Sequence, residues 1–479
     1  MRWTIAQVAG ALGVAAGTGL DPVARLAGVS IDSRTVRSGE LFVAIHGPSH
    51  NGHDYVAAAL ERGALGAIVA QSETGRYADA VRARCLVVAD TFEALKQLAR
   101  AVRESWGGKI AGITGSVGKT TTKEILAALL GAKLRVLKSE GNFNNEYGLP
   151  LTLFRLDETH QAAVLEMGMS RRGELSRLAA IARPDVGVVT RVAPAHLEFF
   201  SSVEEIALAK RELIEGLNGS GSTAVLNADD PRVAAFGAVA PGRVVTYGIE
   251  SPAFFSADAI EDRGAAGSAF DYLSPEGRVR LELPVPGRHA IYNALAALAA
   301  ASVWNIGAAE AQSVFPMLRV PAMRGELLRF SNGAALINDS YNSSPAALQA
   351  MIGVLTATTG FRRRILAAGE MRELGVSSPE LHREAGAFAA KSGKIDWVVG
   401  VAGDAQQIVE GAVAAGLPRA QAKFFASSEN AAKFLEEFFS PGDVLLVKGS
   451  RGVKMERIVD ALLARYAEPG EFAQQGVKH

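Results

Sequence analysis

The 479-residue sequence predicts an α/β protein of three domains: a small mixed α/β N-terminal domain, a central, mostly parallel doubly wound sheet, and a Rossmann-like C-terminal domain. Three observations predict it. Short apolar runs alternate with helical segments along most of the chain. At ~150 residues per domain, the length accommodates about three cores. The alternation also restarts twice, near residue 90 and after VPAMRGE, which sets domains at 1–89, 90–322 and 323–479.

The N-terminal stretch MRWTIAQVAGALGVAAG has the Arg2 and Ala/Val content of a leader, but Thr4, Gln7 and several glycines interrupt it. A short helix capped by Thr4 is expected instead. LFVAI (41–45), GAIVA (66–70) and CLVVA (85–89) are candidate strands, with a helical YVAAALERGA among them. A polar-faced helix over 91–106 then leads into KIAGI. Further strands are expected near 110–113, 134–137, 162–166, 186–190, 223–227 and 243–247, followed by a hairpin, AFDYLSPEGRVRLELP, turning at PEG. AIYNALAALAAASVW (290–304) is mostly alanine and carries Asn293, so it is expected to be a close-packed buried helix rather than a membrane span. In the third domain ALIND (335–339), RILAAG (364–369), DWVVGV (396–401), AKFFA (422–426) and DVLLVKG (443–449) are each followed by a helical segment. The tail after about residue 467 is polar and expected to fray.

Lys+Arg and Asp+Glu both number 50, so no bulk field draws the chain to nucleic acid or an anionic membrane, and any polyanion site must be local. The single cysteine, Cys85, excludes an intrachain disulfide and a cysteine zinc site, and is expected to be a core thiol. A cytoplasmic protein is expected.

The strongest chemical signal is KIAGITGSVGKTTTKEILAALL: strand, glycine loop, Lys119 with Thr120, helix. In such a phosphate cradle, glycines let backbone N–H groups of Gly115, Ser116, Val117 and Gly118 turn toward phosphate oxygens. The helix start at Lys119, Thr120 and Thr121 adds partial positive charge. Lys119 reaches terminal phosphates and Thr120 can ligate Mg²⁺. The central domain is therefore P-loop ATPase-like, although Ile113 stands where the eight-residue pattern has its first glycine. Glu166 ends the run AAVLE at the carboxyl edge of the expected sheet, where ligands gather, and His196 follows another strand end. Lys210 lies on an apolar helical stripe with Val203, Ile206, Leu213 and Leu217. By pattern alone it is a snorkelling lysine, with the alternative that burial makes it a neutral amine able to take up CO₂ as a carbamate. His289 and Asn293 share one helical face, with an adenine edge as one use for the amide. Arg324 and Asp339 fall where the second and third domains would meet, a favoured place for ligands and equally for a salt bridge.

Taken together, SIDSRTVRSGELFVAIHGPSHNGHDY, TGSVGKTTTKE, GNFNNEYGLPLT, LEMGMSRRGEL, APAHLEFF with AKREL, NADDP, GRHAIYNALAALA, MRGE, DSYNSSPAAL, GEMRELG with ELHREAG, and KGSRGVKMERIV resemble the Mur ligase family over essentially the whole chain. The resemblance implies an ATP-dependent, ADP-forming ligase that attaches D-alanyl-D-alanine to UDP-N-acetylmuramoyl-tripeptide in peptidoglycan synthesis. It implies that Lys119 and Thr120 contact the ATP phosphates and Mg²⁺, and that Glu166, His196 and a carbamylated Lys210 serve a second Mg²⁺. Asn293 would meet adenine, Arg324 the γ-phosphate and Asp339 the ribose. Ser33 and Arg34 would hold the uridine diphosphate, and Asn144 and Asn145 would lie near the acyl substrate. Lys119, His196, Lys210 and Arg324 are the residues expected to carry the chemistry. No nucleic acid or membrane partner and a monomeric chain are expected. The sequence departs from the family pattern at Arg191, where Asn is usual, at Asn338, where Asp is usual, and in the HGPSH loop near Gly47. The alternatives are a ligase of the same family for another amino acid and a folate polyglutamate ligase, which would lack the first domain. A GTP switch protein would need NKxD and DxxG sequences that are not present.

Overall fold

The computed structural model describes residues 3–47, 49–195 and 197–468, and within them nineteen strands form three sheets. In the first, β1 (Gly28–Ser30), β2 (Glu40–Val43), β3 (Gly66–Ala70) and β4 (Cys85–Val88) are parallel and lie in sequence order. Cys85 is the expected core thiol: burial pushes it up to about 11, far from a reactive thiolate. The N-terminal helix Ile5–Leu12 starts at Thr4, whose hydroxyl accepts from the Gln7 N–H while the Gln7 side chain accepts from the Thr4 N–H.

The helix Thr91–Trp106 starts at Asp90, whose carboxylate accepts the Phe92 and Glu93 N–H groups. Its apolar face carries one continuous cluster from Leu41 and Ile68 through Leu95 and Leu98 to Leu175 and Ile181. Its last turn is tied to the central sheet by buried Arg103, which donates to Ala182 O at 2.8 Å and to Asp185 Oδ2 at 2.9 Å.

The central sheet contains β5 (Lys109–Thr114), β6 (Val136–Lys138), β7 (Ala162–Glu166), β8 (Val186–Val189), β9 (Thr223–Asn227), β10 (Arg243–Gly248), β11 (Phe255–Asp262), β12 (Ser268–Ser274) and β13 (Gly277–Leu283). Their order is β13-β12-β11-β10-β9-β8-β5-β7-β6, parallel from β6 to β11 and antiparallel for the last two pairings. β5, β7, β8 and β9 are buried almost throughout, as expected for parallel strands with helices on both faces. One of those helices is Arg288–Ala301, the alanine-rich segment, buried along most of its length. The expected β12–β13 hairpin is present, with Ser274 opposite Gly277. The order reverses at β5, which lies between β7 and β8, and loops at the carboxyl ends of strands beside such a reversal diverge to leave a crevice.

The third sheet has the order β14-β15-β19-β16-β17-β18, from β14 (Glu326–Arg329), β15 (Ala335–Asp339), β16 (Arg363–Gly369), β17 (Trp397–Val401), β18 (Ala422–Phe425) and β19 (Asp443–Lys448). It is parallel except for β14, an antiparallel edge. Three strands escape the sequence pattern. β1 is only three residues long, β11 is broken by a register shift between Asp258 and Glu261 with Ala259 at φ 45°, and β14 is a four-residue edge against β15. Short or interrupted strands lack the sustained alternation that marks longer ones. β19 separates β15 from β16, so this sheet also has a crevice at its carboxyl edge.

Candidate active site

The two crevices face each other across a cleft of about 800 Å³. One wall comes from the ends of β5, β6, β7 and β8, including residues 116–121, Asn144, Asn145, Glu166 and Ala195. The other comes from the ends of β15, β16 and β19, including residues 341–344, 372–374, Lys448 and 450–452.

Residues 115–118 turn sharply out of β5 and into the helix Lys119–Gly131. Gly115 has φ 150°, and a Cβ there would stand 1.8 Å from Thr190 Oγ1. Gly118 has φ 87°, and its Cβ would stand 2.3 Å from Asn293 Oδ1. Both positions therefore require glycine, for conformation and for space. The loop is held from behind: Ser116 N donates to Arg191 O at 2.7 Å, Ser116 Oγ lies 3.0 Å from both Ala193 O and Ala193 N, and Thr190 Oγ1 donates to Val117 O at 2.6 Å. Arg191 supplies only its carbonyl while its side chain is exposed, which explains why the departure from Asn is tolerated in this contact. Lys119 Nζ folds back to donate to Gly115 O at 2.7 Å. Burial lowers its ammonium below the usual lysine range, Glu166 opposes that shift and Arg324 adds to it.

Glu166, only 5% exposed, is the hub of the first wall. Its Oε2 accepts from Thr120 Oγ1 at 2.8 Å, its Oε1 accepts from Asn144 Nδ2 at 2.9 Å, and its backbone N–H donates to Ser139 Oγ at 3.1 Å. Asn145 has a local task as well, its Oδ1 accepting from Tyr147 N and Gly148 N at the start of the helix Gly148–Leu153. Arg324 reaches across from the third unit, with Nη2 3.5 Å from Thr120 Oγ1 and its guanidinium 4.0 Å from the centre of the Tyr341 ring. Met323, at φ 62°, turns the chain just before it.

Lys210 is 2% exposed on the helix Val203–Glu215, so the snorkelling expectation fails: the helix packs with its stripe inward and leaves the amine no route to water. Burial pushes its ammonium far below the usual lysine range, and the Lys119 charge adds to the effect. His196 lies outside the described residues. Among the described residues no group of three or more His, Cys, Asp or Glu side chains forms a metal cluster.

Asn293 is buried beside Gly118, behind the phosphate loop rather than in the cleft lining. His289, one turn before it, is half-buried, and burial lowers its ring below the usual value, with Asp339 opposing. Asp339 is buried and paired with Lys448 Nζ at 2.5 Å, and the same ammonium donates to Asn342 O at 2.7 Å. The salt bridge considered at this position thus lies within the third sheet, between adjacent residues of β15 and β19. Ser33 and Arg34 follow β1, away from the cleft lining. The Arg34 side chain is 86% exposed, and its guanidinium holds the Asp32 carboxyl down at about 2. Asn338 Nδ2 donates to Glu326 Oε2 at 3.1 Å, a contact an Asp could not make without placing two carboxylates together. Lys448, Arg372 and Ser450 also line the cleft, and motif reading gave them no role. Lys448 carried the same signal as Glu166, a charged residue ending an apolar run.

Three family models cover most of the chain: Mur ligase family, catalytic domain, over residues 25–103; Mur ligase middle domain, over 113–301; and Mur ligase, glutamate ligase domain, over 323–451. The chain belongs to the Mur ligase family. Among curated Mur ligases, the Bacillus subtilis protein named UDP-N-acetylmuramoyl-tripeptide–D-alanyl-D-alanine ligase is 34% identical over 91% of this chain and 93% of its own length. A crystal structure of MurF from Acinetobacter baumannii matches with TM-score 0.87 and 28% identity, covering 97% of this chain and 99% of that one. The MurF ligase from Thermotoga maritima in complex with ADP matches with TM-score 0.78 and 29% identity, covering 91% and 97%. Among the described residues no helix of this Mur ligase is long and apolar enough to cross a membrane.

Proposed function

We propose that this Mur ligase joins D-alanyl-D-alanine to UDP-N-acetylmuramoyl-tripeptide with cleavage of ATP to ADP and phosphate, completing the UDP-muramoyl-pentapeptide for peptidoglycan synthesis. The observation that carries this reading is the end-to-end match to the Bacillus subtilis ligase, 34% identical over 91% of the chain. The cleft geometry supports it, because a phosphate loop on one wall faces a cationic second wall.

The tripeptide carboxylate attacks the γ-phosphorus of ATP, giving an acyl phosphate and ADP. The dipeptide amine then adds to the acyl carbon, and the tetrahedral intermediate expels phosphate. Negative charge accumulates at each step, and positive groups already fixed around it lower its energy more than mobile solvent would. Lys119 and Arg324 are those groups, on opposite walls. Thr120 and Glu166 are hard oxygen donors suited to one Mg²⁺, and Glu166, His196 and the carbamate of Lys210 would hold a second. When bound, Mg²⁺ supplies charge neutralisation at the phosphates. The carbamate arises when the neutral Lys210 amine adds to CO₂ and releases a proton. Asn293 is assigned to adenine, and Asp339 to the ribose alongside its Lys448 pairing. Ser33 and Arg34 are assigned to the uridine diphosphate, and Asn144 and Asn145 to the acyl substrate. The domains proposed are 1–89 for the UDP substrate, 90–322 for ATP and 323–479 for the C-terminal unit. Both substrates and ATP are cytoplasmic compounds, so the reading places the enzyme there. One chain carries every group invoked, so a monomer suffices.

The test is ADP release with ATP, Mg²⁺ and bicarbonate, supplying UDP-N-acetylmuramoyl-tripeptide and D-alanyl-D-alanine singly and together. ADP should appear only with both, alongside a pentapeptide product by mass. Turnover with a different amine or with a folate instead would replace the substrate assignment. Arg324→Ala should lower kcat by about 10²–10³, the usual cost of removing one group aimed at developing charge, while ATP affinity changes by only a few-fold. Single-turnover kinetics with nucleotide-binding titration separates the two, and unchanged turnover would remove Arg324 from the chemistry.

A further inference from the structure

The wall of the cleft at residues 372–374 follows directly on the end of β16. Glu370 N still donates to Val401 O at 3.0 Å, but β16 has ended at Gly369, and the next amide, Met371 N, has moved beyond the strand ladder. It donates instead to Nε2 of His382 at 2.8 Å, on the helix Ser378–Lys391. His382 is 0% exposed, and its other ring nitrogen, Nδ1, lies 2.7 Å from Ser378 O. The nearest partner of each nitrogen is a backbone group with a fixed role, and Ser378 Oγ, 3.3 Å from Nδ1, is a hydroxyl that can accept as well as donate. A carbonyl only accepts, so Nδ1 carries the proton; an amide N–H only donates, so Nε2 is a bare lone pair.

From this anchor the loop runs into the cleft. Arg372 N donates to Ser450 Oγ at 2.9 Å, and Ser450 N returns a bond to Glu370 O at 3.1 Å. Glu373, at φ 64°, turns its carbonyl to accept the Glu198 N–H of the central unit at 3.1 Å. A non-glycine residue in that conformation persists only where the surroundings hold it.

We propose that His382 is a positioning residue: its neutral ring, protonated on Nδ1, holds the loop 370–374 in place through Nε2, and protonating the ring releases that wall of the cleft. A protonated Nε2 would set two donors face to face at Met371. Burial lowers the ring below the usual histidine value. The hydrogen bond to the Ser378 carbonyl opposes burial, as do Asp404 from the start of the neighbouring helix and Glu370 from the loop, and the packed helix Pro345–Ala357 brings no charged residue. The sign follows: the neutral ring persists through the ordinary histidine range, and the acceptor is lost only as pH falls below it.

The kinetic part of the test rests on the ligase reading above; the spectroscopic part does not. His382→Leu removes the acceptor and His382→Gln restores one, since Oε1 can take the Met371 N–H. At pH 8, His382→Leu should lose about tenfold or more in kcat/KM for D-alanyl-D-alanine with unchanged ADP affinity, and His382→Gln should recover most of it. The wild type should show an acid limb below the usual histidine value that His382→Gln lacks. Wild-type kinetics in His382→Leu, equal impairment in the two variants, or an unchanged acid limb in His382→Gln would each overturn the proposal. If His382→Leu does not fold, the His382→Gln pH profile and ¹⁵N-histidine NMR of the intact wild-type chain still decide. The NMR should show His382 with Nδ1 protonated and Nε2 bare at neutral pH, and a protonated Nε2 would overturn the proposal. Failure of the wild type to ligate the two substrates would sink the substrate assignment and leave the NMR result to judge His382.

Discussion

Lys210→Ala is expected to lower turnover by about 10²–10³, the scale of losing one fixed electrostatic element of a phosphoryl-transfer site, and short carboxylates are expected to restore part of it. The reasoning starts from burial. At 2% exposure, with the Lys119 charge nearby, burial pushes the Lys210 ammonium far below the usual lysine range, which favours the neutral amine. On the proposed reading the neutral amine adds to CO₂ with loss of a proton, and the carbamate would offer carboxylate oxygens to a cation. Alanine removes both the amine and the carboxylate while leaving room for formate or acetate. ADP release would be measured with and without added carboxylate and bicarbonate. A loss without rescue would assign Lys210 a packing role, and undiminished turnover would remove it from the site.

Glu166→Gln should be nearly as damaging, with about 10²–10³ lost in kcat and about 10- to 100-fold more Mg²⁺ needed for half-maximal activity. The substitution preserves shape and changes chemistry. Glu166 takes one hydrogen bond on each oxygen, from Thr120 Oγ1 and from Asn144 Nδ2, and an amide has one oxygen to offer two donors. Whichever way the amide is turned, one of those contacts becomes donor against donor, and the negative charge for a cation is gone. Titrating Mg²⁺ against ADP release in the wild type and Glu166→Gln checks both. An unchanged Mg²⁺ requirement would show that Glu166 only orders Thr120 and Asn144.

The elements that could be located from sequence are those whose cause is local. Thr4 and Gln7 form a reciprocal cap three residues apart, and the helix Thr91–Trp106 has a polar face and an N-terminal Asp90. The phosphate loop is legible because Gly115 and Gly118 adopt backbone angles that other residues rarely take. β11 and β14 were not legible: one is broken by a bulge, and the other is a four-residue edge stabilised by a partner strand. Lys210 shows the limit from the other side. A lysine on an apolar stripe has the same sequence pattern whether it snorkels or is sealed in, and only the packing around its helix closed the exit.

The sequence by itself determined the α/β class, most strands, the phosphate loop, and the placing of Glu166 at a strand end, because each is set by interactions among residues a few positions apart. Only the tertiary structure decided which of those residues meet. Arg324 approaches Thr120 from 204 positions away, and Lys448 pairs with Asp339 across 109. Those meetings follow from strand order, with β5 between β7 and β8 and β19 between β15 and β16, and from the two reversal points facing one another. Strand order is settled by burying apolar faces over a whole domain, a sum over many weak contacts that no short stretch of chain displays.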